Sequence, residues 1–150
     1  MDNSYLQYEL ELNSEIHRGI GVLIFLAIIA IGAGVFCVKM KQPRLALVTV
    51  GLFAILLVSV WYFAVYPLQK DIEEKAYVKF EGKFYIEEYY QPYRSATYIR
   101  IIGGNDENAI RYKVLCDVGD IADNATYMGY FVFSRNSKSL VDFHVEKPVD

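Results

Sequence analysis

Two uncharged apolar runs limit what this chain can fold into. Gly19–Val38 and Leu45–Tyr66 contain no Asp, Glu, Lys, Arg or His. At about 1.5 Å of rise per residue, each run reaches about 30 Å as a helix, the thickness of a hydrocarbon core. A helix buried in a soluble core is rarely apolar on every side over such a length. The sequence therefore predicts two membrane-spanning helices. The first run does not read as a secretory signal, because the segment before it is acidic and no small-residue cleavage site follows it.

Only Lys39-Met40-Lys41-Gln42-Pro43-Arg44 separates the runs. So short a hinge makes the helices antiparallel neighbours, and Pro43 suits the first turn of the second. Small residues line parts of both: Ala27, Ala30 and Gly34 in the first, Gly51, Ala54 and Ser59 in the second. In lipid such residues let helices approach closely, although Gly and Ala are also simply common there. They are the candidate helix-packing positions, within one chain, between copies or with another membrane subunit. Trp61, Tyr62 and Tyr66 form the aromatic belt expected at an interface. With no ionisable group inside either run, the hairpin offers no ion path or proton relay of its own.

Lys39, Lys41 and Arg44 lie directly against the helix ends. The positive-inside rule then puts the hinge in the cytoplasm and both termini outside a plasma membrane. Arg18, Lys70, Lys75, Lys79 and Lys83 weigh the other way by number, but density and closeness favour the hinge. Cys37 and Cys116 are too far apart in this layout to pair. An extracytoplasmic domain without a disulfide is ordinary for bacterial surfaces. Asn124-Ala125-Thr126 matches a glycosylation acceptor by a motif short enough to arise by chance.

Residues 1–18 have two readings. Ser4 with Gln7 resembles a capping box, followed by Tyr5, Tyr8 and Leu12 at helical spacing. Leu6, Tyr8, Leu10 and Leu12 also alternate with polar residues, as in a strand that adds to a sheet. The helical extension is the plainer reading. At the far end, Pro67 is expected to end the second helix, and residues 68–75 form a charged connector.

From residue 76 the period changes to two. Val78, Phe80, Phe84 and Ile86 share a parity, with Gly82 in step, which predicts one long strand bent at Gly82 rather than a hairpin. Further strands are expected at 96–102 (Thr97, Ile99 and Ile101 inward), 110–116 (Ile110, Tyr112, Val114 and Cys116 inward), 127–133 and 139–145. In the last, Val141, Phe143 and Val145 point inward and Leu140, Asp142 and His144 outward. The fold class is thus a membrane α-helical hairpin of two transmembrane helices followed by a small all-β domain. Its five strands suit an OB-like or SH3-like barrel, since closure removes free edges.

Little in the sequence carries chemistry. His17 and His144 are the only histidines, and no Cys/His cluster supplies a zinc site. Asp117, Asp120 and Asp123 lack the spacing and closing Glu of an EF-hand loop, so a solvated loop is the default over a weak calcium site. Cys116 has inward parity and reads as an inert thiol. No phosphate loop or nucleophile elbow occurs. No catalytic residue, metal or cofactor is therefore expected. The outward positions Tyr98, Arg100, Arg111 and Lys113, with Tyr93 and Arg94 upstream, form a candidate aromatic and basic patch for an anionic surface ligand or protein partner. The ordinary explanation is that these residue types suit the outer face of strands. The chain is acidic overall, with a net charge of -3, so nucleic acid is not an expected partner. Two functions follow as expectations. The first is a membrane-anchored, non-enzymatic β-domain serving as an accessory, immunity-type or sensing subunit. The second is a structural subunit of a membrane complex assembled through the hairpin.

Overall fold

The computed structural model of the chain describes residues 3–93, 96–103 and 109–148, with side chains described at 5–89, 97–103 and 109–146. The chain forms two compact units. One is Asn13–Gln69; the other joins the chain up to Leu12 with everything from Lys70 onward.

Two helices long and apolar enough to cross a membrane dominate the first unit. Helix α1 runs Asn3–Lys39, so the segment before Gly19 is helical, not a strand. A tight turn follows, in which Gln42 N–H donates to the Cys37 carbonyl at 3.1 Å and Lys41 takes a positive φ of 57°. Helix α2 (Pro43–Val60) begins with its proline in the first turn, where a missing N–H costs nothing. Ala30 and Ala46 are buried, Ala27 is half-buried, and a Cβ on Gly34 would come within 3.3 Å of Val50 Cγ2. Gly51 and Ala54 are exposed, and a Cβ on Gly51 would touch nothing within 4 Å. Close approaches are therefore made at Gly34 against Val50 and, tighter still, at Gly19, where a Cβ would come within 2.8 Å of Val65 Cγ2; Gly51 and Ala54 are exposed and take part in neither.

Pro67 does not end the second helix. A π-helical turn (Trp61–Val65) follows α2 and leads directly into helix α3 (Tyr66–Glu74). In an α-helix a proline ring clashes with the carbonyl four residues back. Here Tyr66 N–H reaches the Trp61 carbonyl five residues back, and this wider turn accommodates Pro67. The segment expected as a connector is thus mostly α3.

The second unit is a five-stranded mixed sheet. Its strands are β1 (Tyr77–Tyr93), β2 (Ala96–Gly103), β3 (Ile110–Val114), β4 (Ala125–Ser134) and β5 (Ser139–Pro148). Strand β1 is a single long strand, and Gly82 within it has a φ of 139° that a side chain would strain. Its first half pairs with β4 and its second with β2, with residues Phe84–Ile86 paired to both. Strand β2 pairs with β3, β4 pairs with β5, and β3 meets β5 in parallel over Lys113–Val114. Phe84, Ile86, Ile99, Ile101, Tyr112, Tyr127, Phe131, Leu140 and Phe143 form the core, with Cys116 packed against it.

Leu140 corrects the outward assignment on β5: it is fully buried in this core. The β4–β5 register shifts between Val132 and Phe133, so Phe133 faces Leu140 while Val132 faces Asp142. The bulge at Val141 resets the parity. Gly129 sits at the other shift in this pairing, where a Cβ would collide with the His144 carbonyl oxygen.

Asp71 on α3 is fully buried. Its carboxylate accepts Asn136 N–H and Asn136 Nδ2–H, each at 2.8 Å, and Ser137 N–H at 2.8 Å. Its carbonyl takes Ala76 N–H at 3.0 Å, and Ala76 in turn accepts Arg135 N–H at 2.9 Å. Asp71→Ala should leave these donors buried and unpaired, lowering stability by about 3 kcal/mol. Denaturant unfolding of the full chain in a maltoside detergent measures it, and Asp71→Asn should lose less.

Candidate functional site

The β2–β3 pairing fixes the predicted patch. Arg100 lies opposite Arg111, and Tyr98 opposite Lys113. Their neighbours Ile99, Ile101 and Tyr112 are buried, so the alternation puts all four on the outer face. Arg111 is exposed; Tyr98, Arg100 and Lys113 are half-buried. The Arg111 guanidinium sits over the Tyr98 ring at 5.4 Å, and Arg100 Nε approaches Glu87 Oε2 at 3.2 Å. Two arginines directly opposite each other repel. Ring and carboxylate moderate that repulsion while keeping both guanidinium groups on one surface. The Tyr93 backbone pairs with Ala96; the Tyr93 side chain and Arg94 lie outside the described residues.

The acidic loop is occupied by its own fold. Asp117 Oδ1 accepts Gly119 N–H at 3.0 Å, Asp123 Oδ1 accepts Tyr89 N–H at 2.6 Å, and Asn124 Oδ1 accepts the Tyr85 hydroxyl at 3.1 Å. Among the described residues, no three His, Cys, Asp or Glu side chains converge as metal ligands. His144 stacks on Tyr130 with ring centroids 5.4 Å apart, and His17 Nδ1 lies 2.7 Å from the Asn13 carbonyl.

A second feature is non-local. Tyr5 and Tyr8 of α1 lie beside Tyr77 of β1, with centroids 5.9 and 5.4 Å from it, and Tyr8 donates its hydroxyl to Asp142 Oδ2 at 2.9 Å. With Lys79, Tyr130, Val132 and Asp142 they line a cleft of about 280 Å³. Only the helical spacing of Tyr5 and Tyr8 hinted at it in the sequence.

Burial pushes the Cys116 thiol up to about 12 and the Tyr77 phenol up to about 12. Burial, then the hydrogen bond to Asp142, raises the Tyr8 phenol as well. Cys116 therefore stays a protonated thiol at neutral pH, without nucleophilic character.

No protein family, curated protein or solved structure matches the chain.

The raised values set a pH dependence. A group whose folded pKa lies above its unfolded value adds stability that is complete below the unfolded pKa and lost as pH rises through the folded one. For Cys116 that window opens near 9.0 and for Tyr77 near 10.0, and both close near 12. Unfolding followed from pH 7 to 12 should show constant stability up to about pH 9 and a decline beyond it. In the Cys116→Ala variant the decline should begin about one unit later.

Proposed function

We propose that this is a membrane-anchored, non-enzymatic protein that presents its sheet domain at the membrane surface to capture an anionic partner. The two long apolar helices act as a spanning hairpin, with the 39–44 hinge in the cytoplasm and the sheet domain outside. The five strands close as an OB-like barrel, a reading supported by pairings that return from β4 to β1. The observation that carries the function is the β2–β3 face, where Arg100 and Arg111 lie opposite each other beside the Tyr98 ring. Guanidinium groups beside an aromatic platform suit an anion.

A second reading is favoured by Gly51 and Ala54. Their exposed positions on α2 leave a close-packing surface that the chain's own hairpin does not use. On that reading the protein is a structural subunit assembled through its hairpin.

Retention of the full chain in maltoside on immobilised dextran sulfate and poly-glutamate tests the first reading. Changing Arg100, Arg111 and Lys113 together to Ser should shift elution to about half the salt concentration with the fold unchanged. Unchanged elution would remove the patch from the function. Loss of a co-purifying membrane partner in Gly51→Leu with Ala54→Leu, but not in the patch variant, would favour the second reading. Orientation is read separately. With Cys37 and Cys116 removed, a cysteine at exposed Asp120 should react with an impermeant maleimide in intact cells. Reaction only after lysis would put the domain in the cytoplasm.

A further inference from the structure

The tyrosine-lined cleft lies on β1, β4 and β5, away from the β2–β3 patch, and its charges are arranged along one row. Lys79 pairs across to Val132, and Val132 pairs across to Asp142. Two strand spacings of about 4.8 Å put the two ends of this row about 10 Å apart. A cation thus stands at one end, a carboxylate at the other, and an apolar side chain forms the floor between them.

Aromatic rings fill the flanks. Tyr77 precedes Lys79 by two residues on β1, and Tyr130 precedes Val132 by two on β4, so both share the row's face. The Lys79 ammonium already rests 4.5 Å from the Tyr130 ring centroid. Its carboxylate partner Glu81, at 3.0 Å, is mostly exposed, so that pair is weak and easily exchanged. Tyr8 uses one oxygen of Asp142, and an ionised carboxylate has further acceptor capacity.

Tyr77 contributes its ring to the cleft wall, and its hydroxyl is buried beneath it.

From this arrangement we infer that the cleft binds a phosphoryl–ammonium zwitterion, the chemistry of a phosphoethanolamine or phosphocholine group. The ammonium end lies against Asp142 and the Tyr8 ring. The phosphoryl end accepts from Lys79. A simple cation would be repelled by Lys79, and a simple anion by Asp142. An α-amino acid carries its two charges too close together to reach both ends of the row. At about 280 Å³ the cleft is small, near the lower limit of ligand pockets, and matches a head group rather than a larger cofactor.

Calorimetric titration of the full chain in maltoside with phosphocholine and with phosphoethanolamine tests this. Saturable one-to-one binding is expected, with choline chloride and inorganic phosphate each at least about tenfold weaker. Lys79→Gln and Asp142→Asn should each weaken binding about tenfold. Near-UV dichroism verifies that each variant is folded. The triple Ser variant of the β2–β3 patch should bind as the natural chain does, which separates this site from that face.

Native mass spectrometry against equimolar phosphatidylethanolamine and phosphatidylglycerol of equal chain length identifies the source. Preferential retention of the zwitterionic lipid, lost in Lys79→Gln, assigns the cleft to a lipid head group. Binding of the soluble compounds without lipid preference assigns it to a free small molecule. Absence of both, or binding that neither Lys79→Gln nor Asp142→Asn weakens, would overturn the inference.

Discussion

One buried carboxylate fixes how the sheet begins. Asp71 receives two backbone N–H groups and a side-chain amide from the β4–β5 turn, while its own carbonyl receives Ala76 at the entry to β1. The two events set a common origin. Tyr77 pairs with Ser134 directly after the clamp, and ten consecutive residues of β1 then run in unbroken register with β4. A slip of one residue along that ladder would turn Phe84 and Ile86 out of the core. So deeply buried a carboxyl group is tolerated because several hydrogen-bond donors at good distance satisfy its oxygens.

The sheet's outer surface has two distinct characters. Over β1, β4 and β5, the start of α1 lays Tyr5 and Tyr8 against the strands and makes a recess with a charge at each end. Over β2 and β3, basic and aromatic side chains stand on the outer face. A small domain with little core to spare thus has two chemically different faces, one dipolar and recessed, one cationic. Neither depends on a nucleophile or a convergent ligand set.

Much of this was legible in the residues. The two apolar runs announced the long helices, and period-two alternation identified Ile99, Ile101, Tyr112 and Phe143 as core. The period carried through Gly82 identified β1 as one long strand rather than a hairpin. The misreadings share a cause: local rules yielded to a local irregularity that the sequence does not mark. Leu140 reads as outward until the bulge at Val141 shifts the count. Pro67 reads as a stop until the preceding π-helical turn makes room for its ring. The β2–β3 face was visible because its residues lie on consecutive strands. The tyrosine recess was not, because it joins α1 to β1, β4 and β5, and no periodicity relates residues so far apart in the chain.

The hydrogen bond between Tyr8 and Asp142 spans 134 positions. The unit that contains it is interrupted by Asn13–Gln69, which departs after Leu12 and returns at Lys70. Synthesis therefore delivers this unit in two instalments. Residues up to Leu12 are made before any strand they rest on, and wait while both long helices and four strands follow. Only when β5 has left the ribosome does Tyr8 acquire its acceptor. Contacts of such high sequence separation form late and slowly. The interrupting segment, complete in sequence well before then, has the whole of that interval to find its place.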